Sequence, residues 1–161
     1  MAFDAFLKFG DIKGESTDDK HKEWISLESF SWGVTQVGNV AAGAGRGTGK
    51  VDPGDFNIIK SIDKASPSLF AACAAGAHTP LMTVVLRKAG GTQLEYLKYK
   101  FSDVMVSSYQ TQGSPQGDAL PSEQVSFTYG KIEISYTPQD AKGGAAGAVG
   151  AGWDFQKNVK V

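Results

Sequence analysis

Cysteine is nearly absent. Cys73 is the single one in 161 residues, so no intramolecular disulfide can form and the fold does not depend on an oxidising compartment. Histidine is almost as scarce. His21 and His78 are the only two, and no pair drawn from them and Cys73 has the spacing of a metal site, so neither a metal nor any other cofactor is expected. Neither sign of charge is in excess: 16 Lys and Arg stand against 17 Asp and Glu, for a net charge of -1. A nucleic-acid partner calls for a basic excess that displaces counterions from phosphates, and none is expected here. There is no apolar run of about 18 residues, so no membrane insertion is expected. The N-terminus, MAFDAFLKFGDIKGES, carries Asp4 early and has no apolar stretch behind a basic start. A cleaved Sec-type signal is therefore not expected. The chain reads as cytoplasmic, or as exported by a machine that needs no such signal.

The length fits one domain, taken as 1–161. Hydrophobic residues make up 41% of the chain, the ordinary share for a soluble globule with its own core. The 20 glycines concentrate in two stretches, AAGAGRGTG at 41–49 and GGAAGAVGAG at 143–152, and both read as extended loops. The first invites comparison with phosphate-binding loops. A G-x-x-x-x-G-K-[ST] motif ending at Gly49-Lys50 would need glycine where Ala44 stands and Ser or Thr where Val51 stands. A G-x-G-x-x-G motif from Gly43 would need glycine at Thr48. Both fail, and a long arm of about 40–51 is the reading that remains.

Elsewhere the dominant signal is period two, the mark of half-buried strands. Phe3, Ala5, Leu7 and Phe9 alternate with Asp4 and Lys8. Trp24, Phe30, Trp32 and Val34 share one parity; Ser29, Ser31, Gly33 and Thr35 share the other, a small polar face turned to solvent or to a wet channel. Phe56 and Ile58, a short apolar run at 82–86, and Leu97, Tyr99 and Phe101 follow, with a separate strand beginning at Val104 and Val106. Between 126 and 136 the apolar parity switches near Gly130, which predicts a bulge or bend there. One helix interrupts the strands, at about 66–76. Ser66 is the expected N-cap and Pro67 the first helical residue, Gly76 ends the helix in a left-handed conformation, and Pro80 prevents its continuation. The fold class is thus mainly β: a small antiparallel β-barrel of two sheets with one short helix and one long arm, closed so as to leave few open edges.

Residues able to carry chemistry find no partners in this pattern. His21 sits in the polar run 16–23 and reads as part of a solvated turn. His78 follows the helix, where it can bond the last carbonyls. Cys73 reads as a small buried hydrophobe. Asp11, Asp63 and Asp103 fall at strand ends or turns, as backbone caps. No G-x-S-x-G elbow is present. No catalytic residue is assigned and an enzyme is not expected. A monomeric, lipocalin-like carrier of small ligands is the alternative that a β-barrel leaves open.

Seven segments, in this order, make the sequence similar to a known family: GDIKGES at 10–16, FSWG at 30–33, IDKASPSLFAACAAGAH at 62–78, RKAGG at 87–91, EYL at 95–97, VSSY at 106–109 and GWDFQKNV at 152–159. Together they resemble the haemolysin-coregulated protein (Hcp) family, the tube subunit of type VI secretion systems. The resemblance implies a homohexameric ring and stacking of rings into a hollow tube similar to the tail tube of contractile phages. It implies a spike protein at the tube tip, a contractile sheath around it, small effector proteins in the lumen, and secretion of the subunit itself after a cytoplasmic stage. It places Ala41, Gly43, Gly45, Arg46, Gly47 and Lys50 at the contact between rings. Joined with the parity above, it makes Ser29, Ser31 and Thr35 the candidates to face the lumen.

Overall fold

The alternation at the start of the chain becomes β1 (Phe3–Phe9), with Ala5, Leu7 and Phe9 buried and Lys8 exposed. The computed structural model describes residues 2–39, 47–90, 93–117, 120–142 and 144–161, with backbone alone at 37–39 and 47–49. After β1 come β2 (Ile25–Leu27), β3 (Ser29–Ser31), β4 (Val34–Asn39), β5 (Gly47–Pro53), β6 (Phe56–Ser61), α1 (Ser66–Ala75), β7 (Thr79–Lys88), β8 (Glu95–Gln112), β9 (Ser122–Tyr136), β10 (Val149–Asp154) and β11 (Val159–Lys160).

All pairings are antiparallel. The large sheet runs β11-β10-β9-β8-β7-β1-β2, with β3 and β6 joined to it through β9, and β4-β5 form a second sheet by themselves. The inward rows of the large sheet meet in one core. Phe9, Phe56, Phe101 and Phe127 are each at most 1% exposed, and burying a side chain of that size contributes roughly 1.5–3 kcal/mol. Phe9 meets Phe127 at 5.3 Å and Phe56 meets Phe101 at 4.9 Å between ring centres, both tilted, an arrangement that the ring quadrupoles favour.

The mainly antiparallel architecture with one helix is as the sequence predicts, but the sheet does not close into a barrel. The residues 24–35, expected as one alternating stretch, divide into β2, β3 and β4. Ile25 is buried and so is on the core side, whereas further on it is Phe30 that packs against the core. Apolar parity has changed, so the chain must turn over near Glu28, and the ladder breaks there. β2 stays on β1 while β3 moves to β6, and the Glu28 N–H donates to the Ile59 carbonyl at the join.

β9 runs unbroken through Gly130, and the parity switch there is one of burial and of edge partner. Val125, Phe127 and Tyr129 are buried before it and Ile132 after it. One edge of β9 pairs with β6 up to Phe127 and with β10 from Lys131. The register shift in this region lies in β8, between Val106 and Ser108, and β8 is one strand of 18 residues rather than two. The small-residue run at 143–152 is not all loop: its last residues form β10. Gly152 shows why small residues belong there, since a Cβ would stand 3.0 Å from the Ile132 carbonyl oxygen of the partner strand.

The helix spans the expected residues with a different cap. Ala65 holds the N-cap position. The Ser66 hydroxyl instead accepts from the Asp63 N–H at 3.0 Å and from Lys60 Nζ at 3.3 Å, and Asp63 Oδ1 takes the Ala65 N–H. At the other end Gly76 has φ +61° and the Ala77 N–H returns to the Ala72 carbonyl, the left-handed ending expected of glycine. Cys73 is half-buried against the core rather than fully enclosed.

Candidate assembly surfaces

Four strands, β3, β6, β9 and β8, lie side by side in one part of the large sheet, and their registers place residues in rows across it. One row reads Ser29, Ile59, Gln124 and Gln110; the next reads Ser31, Asn57, Ser126 and Ser108. Ser61, Ser122 and Gln112 form a third. Residues directly opposite on neighbouring strands share a face. The alternate row, Phe30, Ile58, Val125 and Tyr109, packs toward the core, so the three rows face away from it. They contain no charged side chain. Their hydroxyls and amides bond one another, as Ser126 Oγ does to Asn57 Oδ1, and carboxylates enter only where the face ends: Ser61 Oγ donates to Glu28 and Ser107 Oγ to Asp55.

Ser29 and Ser31 therefore stand together on this face, both exposed. Thr35 does not join them: it is exposed on β4, opposite Asp52 of β5. Of the expected ring-contact residues, Gly47 and Lys50 belong to β5, and Lys50 is exposed. Ala41, Gly43, Gly45 and Arg46 lie outside the described residues. The arm is thus more ordered than a loop, a two-stranded ribbon as far as Asn39 and Gly47.

Two buried polar clusters support the sheet. On β6 and β9, Lys60 and Glu123 are fully buried, with Nζ 2.5 Å from Oε2, and Lys60 also reaches Asp63 at 3.0 Å. Burial alone would raise the Glu123 pKa, but bonds from Lys60, Tyr109 and Ser66 outweigh it and hold the carboxyl below its ordinary value. The second cluster overturns the solvated reading of His21, which is 2% exposed. Its ring stacks on Phe6 at 4.5 Å, meets Trp24 edge-on, and lies 2.8 Å from both Asp18 and Glu95. Arg87 sits over Phe6 and binds Asp18 at 2.6 Å. That guanidinium bond, followed by the bond from His21, keeps the Asp18 carboxyl far below the usual carboxylate range. Polarity of the run 16–23 conceals this burial, because the covering rings come from β1 and from Trp24. The Lys60–Glu123 pair did leave a signal: each shares the inward parity of its own strand, Lys60 with Phe56 and Ile58, Glu123 with Val125 and Phe127.

His78 bonds Asp103 at 2.8 Å rather than the helix carbonyls, and both are well exposed. Asp103 also accepts from Gln156, so it ties the middle of β8 to the β10–β11 turn instead of capping its own backbone. Asp63 does act as a cap, through Ala65. Among the described residues no group of three or more His, Cys, Asp or Glu could hold a metal ion, and no helix is long and apolar enough to cross a membrane.

Comparison with known proteins gives these surfaces their context. The family described as "Type VI secretion system effector, Hcp" matches residues 6–136. The chain is 43% identical to Protein hcp1 of Pseudomonas aeruginosa over 162 residues, 99% of each. A solved structure of a type six secretion system protein superposes with a TM-score of 0.94 at 36% identity, covering 99% of this chain and all of that one. Hcp1 from Salmonella typhimurium does so with a TM-score of 0.79 at 37% identity, covering both chains completely. The family is one of structural, secreted type VI components and not of enzymes. With the model covering most of the chain and a relative matching along its whole length, the protein belongs to the Hcp family of type VI secretion systems.

Proposed function

We propose that six copies of this chain close head to tail into a ring, and that rings stack into a hollow tube which is itself secreted. The observation that carries the reading is the charge-free face built by β3, β6, β9 and β8. Its serines, asparagine and glutamines form a wetted wall without ion pairs, suited to small effector proteins that must travel and then leave. Ser29 and Ser31 would line the lumen and Thr35 its rim. The arm would cross the seam to the next ring through Ala41, Gly43, Gly45, Arg46, Gly47 and Lys50, with the two cations meeting acidic groups there. A spike protein at the tip and a contractile sheath outside complete the assembly, with the subunit cytoplasmic before firing and outside the cell after it. Head-to-tail contacts give a ring when the rotation per subunit divides a full turn, and a stable interface needs roughly 1,200–2,000 Å². A lipocalin-like carrier is disfavoured because Phe9, Phe56, Phe101 and Phe127 fill the space its ligand would occupy. Size-exclusion chromatography with light scattering, paired with negative-stain images, tests the reading. Six-fold masses and annular particles are expected; a chain that stays solitary at high concentration refutes it.

A further inference from the structure

Among the described residues the ribbon β4-β5 shares no ladder with the large sheet, so its direction is set chiefly at its two roots. Trp32 lies just ahead of β4, and Gly54 directly follows β5. Between them stands Tyr129 of β9, 9% exposed, its ring edge-on to Phe101 and to Phe155. Its hydroxyl accepts from Trp32 Nε1 and donates to the Gly54 carbonyl at 2.7 Å. One oxygen thus ties both strands of the arm to the sheet. The two roots are also joined directly: the Gly54 N–H donates to the Gly33 carbonyl at 2.9 Å, so tightly that a Cβ on Gly54 would stand 2.7 Å from that oxygen. Beyond the roots Val51 packs against the core, while Val34 and Gln36 stay exposed. An open groove of about 330 Å³, lined by Val34, Gln36 and Val51 of the arm and by Ile132, Ile134 and Trp153 of the sheet, separates the two. The ribbon has room to swing, held among the described residues only by its roots and by the Val51 contact.

We infer that Tyr129 is a positioning residue for assembly in this chain: its hydroxyl clamps both roots of the arm and so fixes the angle at which the arm leaves the subunit. The inference rests on the reading above only for the use made of the arm; the clamp itself is a property of the isolated fold. A rigid extension presents its contact residues at one angle, whereas a swinging one offers the bound geometry only part of the time, and apparent affinity falls with that fraction. Removing the oxygen leaves the ring and its aromatic contacts in place but strands a Trp32 donor and a Gly54 acceptor. Each such bond is worth roughly a few-fold to tenfold in an equilibrium.

The test is Tyr129→Phe in a Cys73→Ser background, with spin labels on Gln36→Cys in the arm and Thr128→Cys in the sheet. Labelled chains are diluted into unlabelled ones so that only distances within a subunit are read. The expected result is a distance distribution at least twice as broad as in the parent, and a tube-forming concentration raised about five- to tenfold. Trp32→Phe frees only the β4 root and leaves the bond to Gly54, so it should broaden the distribution less than Tyr129→Phe, and the double variant no further than Tyr129→Phe alone. This set also serves should either single variant fold poorly. A merely structural role would lower thermal stability and leave the distance distribution alone, and an unchanged distribution overturns the inference. A broadened distribution with normal tubes supports the clamp and refutes instead the placing of the arm at the ring seam.

Discussion

Replacing Lys60 by methionine removes a charge from a side chain that is fully buried. Glu123, also fully buried, then keeps the Tyr109 hydroxyl as a donor but loses its counter-ion at 2.5 Å. Removing one partner of a buried pair costs about 3–5 kcal/mol, because the other charge stays behind without water. Lys60→Met is expected at the upper part of that range, since Asp63 Oδ1 loses its 3.0 Å contact as well. Glu123→Met should cost about 3 kcal/mol, because Lys60 retains Asp63 and Ser66. The joint variant Lys60→Met, Glu123→Met fills nearly the same volume without charge and should cost less than the two single changes summed, by at least about 2 kcal/mol of coupling. Urea unfolding below the assembly concentration measures all three, with equal slopes confirming that the unfolded state is comparable. The pH dependence has a definite sign. Glu123 is held below its ordinary value in the fold, so its contribution is complete above the unfolded carboxylate pKa and is lost as pH falls through the folded value. The double variant should lose that part of the acid sensitivity. Single variants costing under about 1 kcal/mol, or costs that simply add, would refute the reasoning.

Cysteines at Ser29 and Ser31 in assembled rings should react with thiol reagents small enough to enter the lumen; complete protection argues against a lumen position. Asp18→Asn should destabilise the fold by about 2–4 kcal/mol, because Arg87 is buried and its Nε and Nη1 already lack partners among the described residues. The Asp18 carboxyl is held far below its ordinary range, so that contribution is present at neutral pH and fades only under strong acid; a variant as stable as the parent at pH 7 in thermal unfolding contradicts it. Gly54→Ala should cost about 1–3 kcal/mol through its clash with the Gly33 carbonyl, with arm amides exchanging faster and the β8–β9 ladder unchanged; uniform exchange would count against a local effect. Arg46→Glu with Lys50→Glu should shorten tubes while leaving the subunit's melting temperature unchanged, and tubes of normal length in electron micrographs would remove those cations from the seam.

Much of the architecture is local and therefore legible before folding. Alternation at Phe3–Phe9 and at Phe56–Ile58 marks strands with one buried face, Gly76 and Pro80 end the helix where it ends, and the parity switch at Gly130 marks the place where β9 changes its edge partner. The small polar parity of Ser29 and Ser31 likewise pointed to the face they occupy. What only the tertiary structure decided depends on residues far apart in the chain. His21 is buried because Phe6 and Trp24 enclose it, which no polar run can announce. Residues 24–35 break into three strands because three different neighbours, β1, β6 and β5, each take part of the segment, and the Gly150–Gly152 stretch pairs because β9 offers it an edge. Tyr129 reads from sequence as one more inward aromatic; its hydroxyl acquires a role only when folding brings Trp32 and Gly54 to it from 97 and 75 residues away.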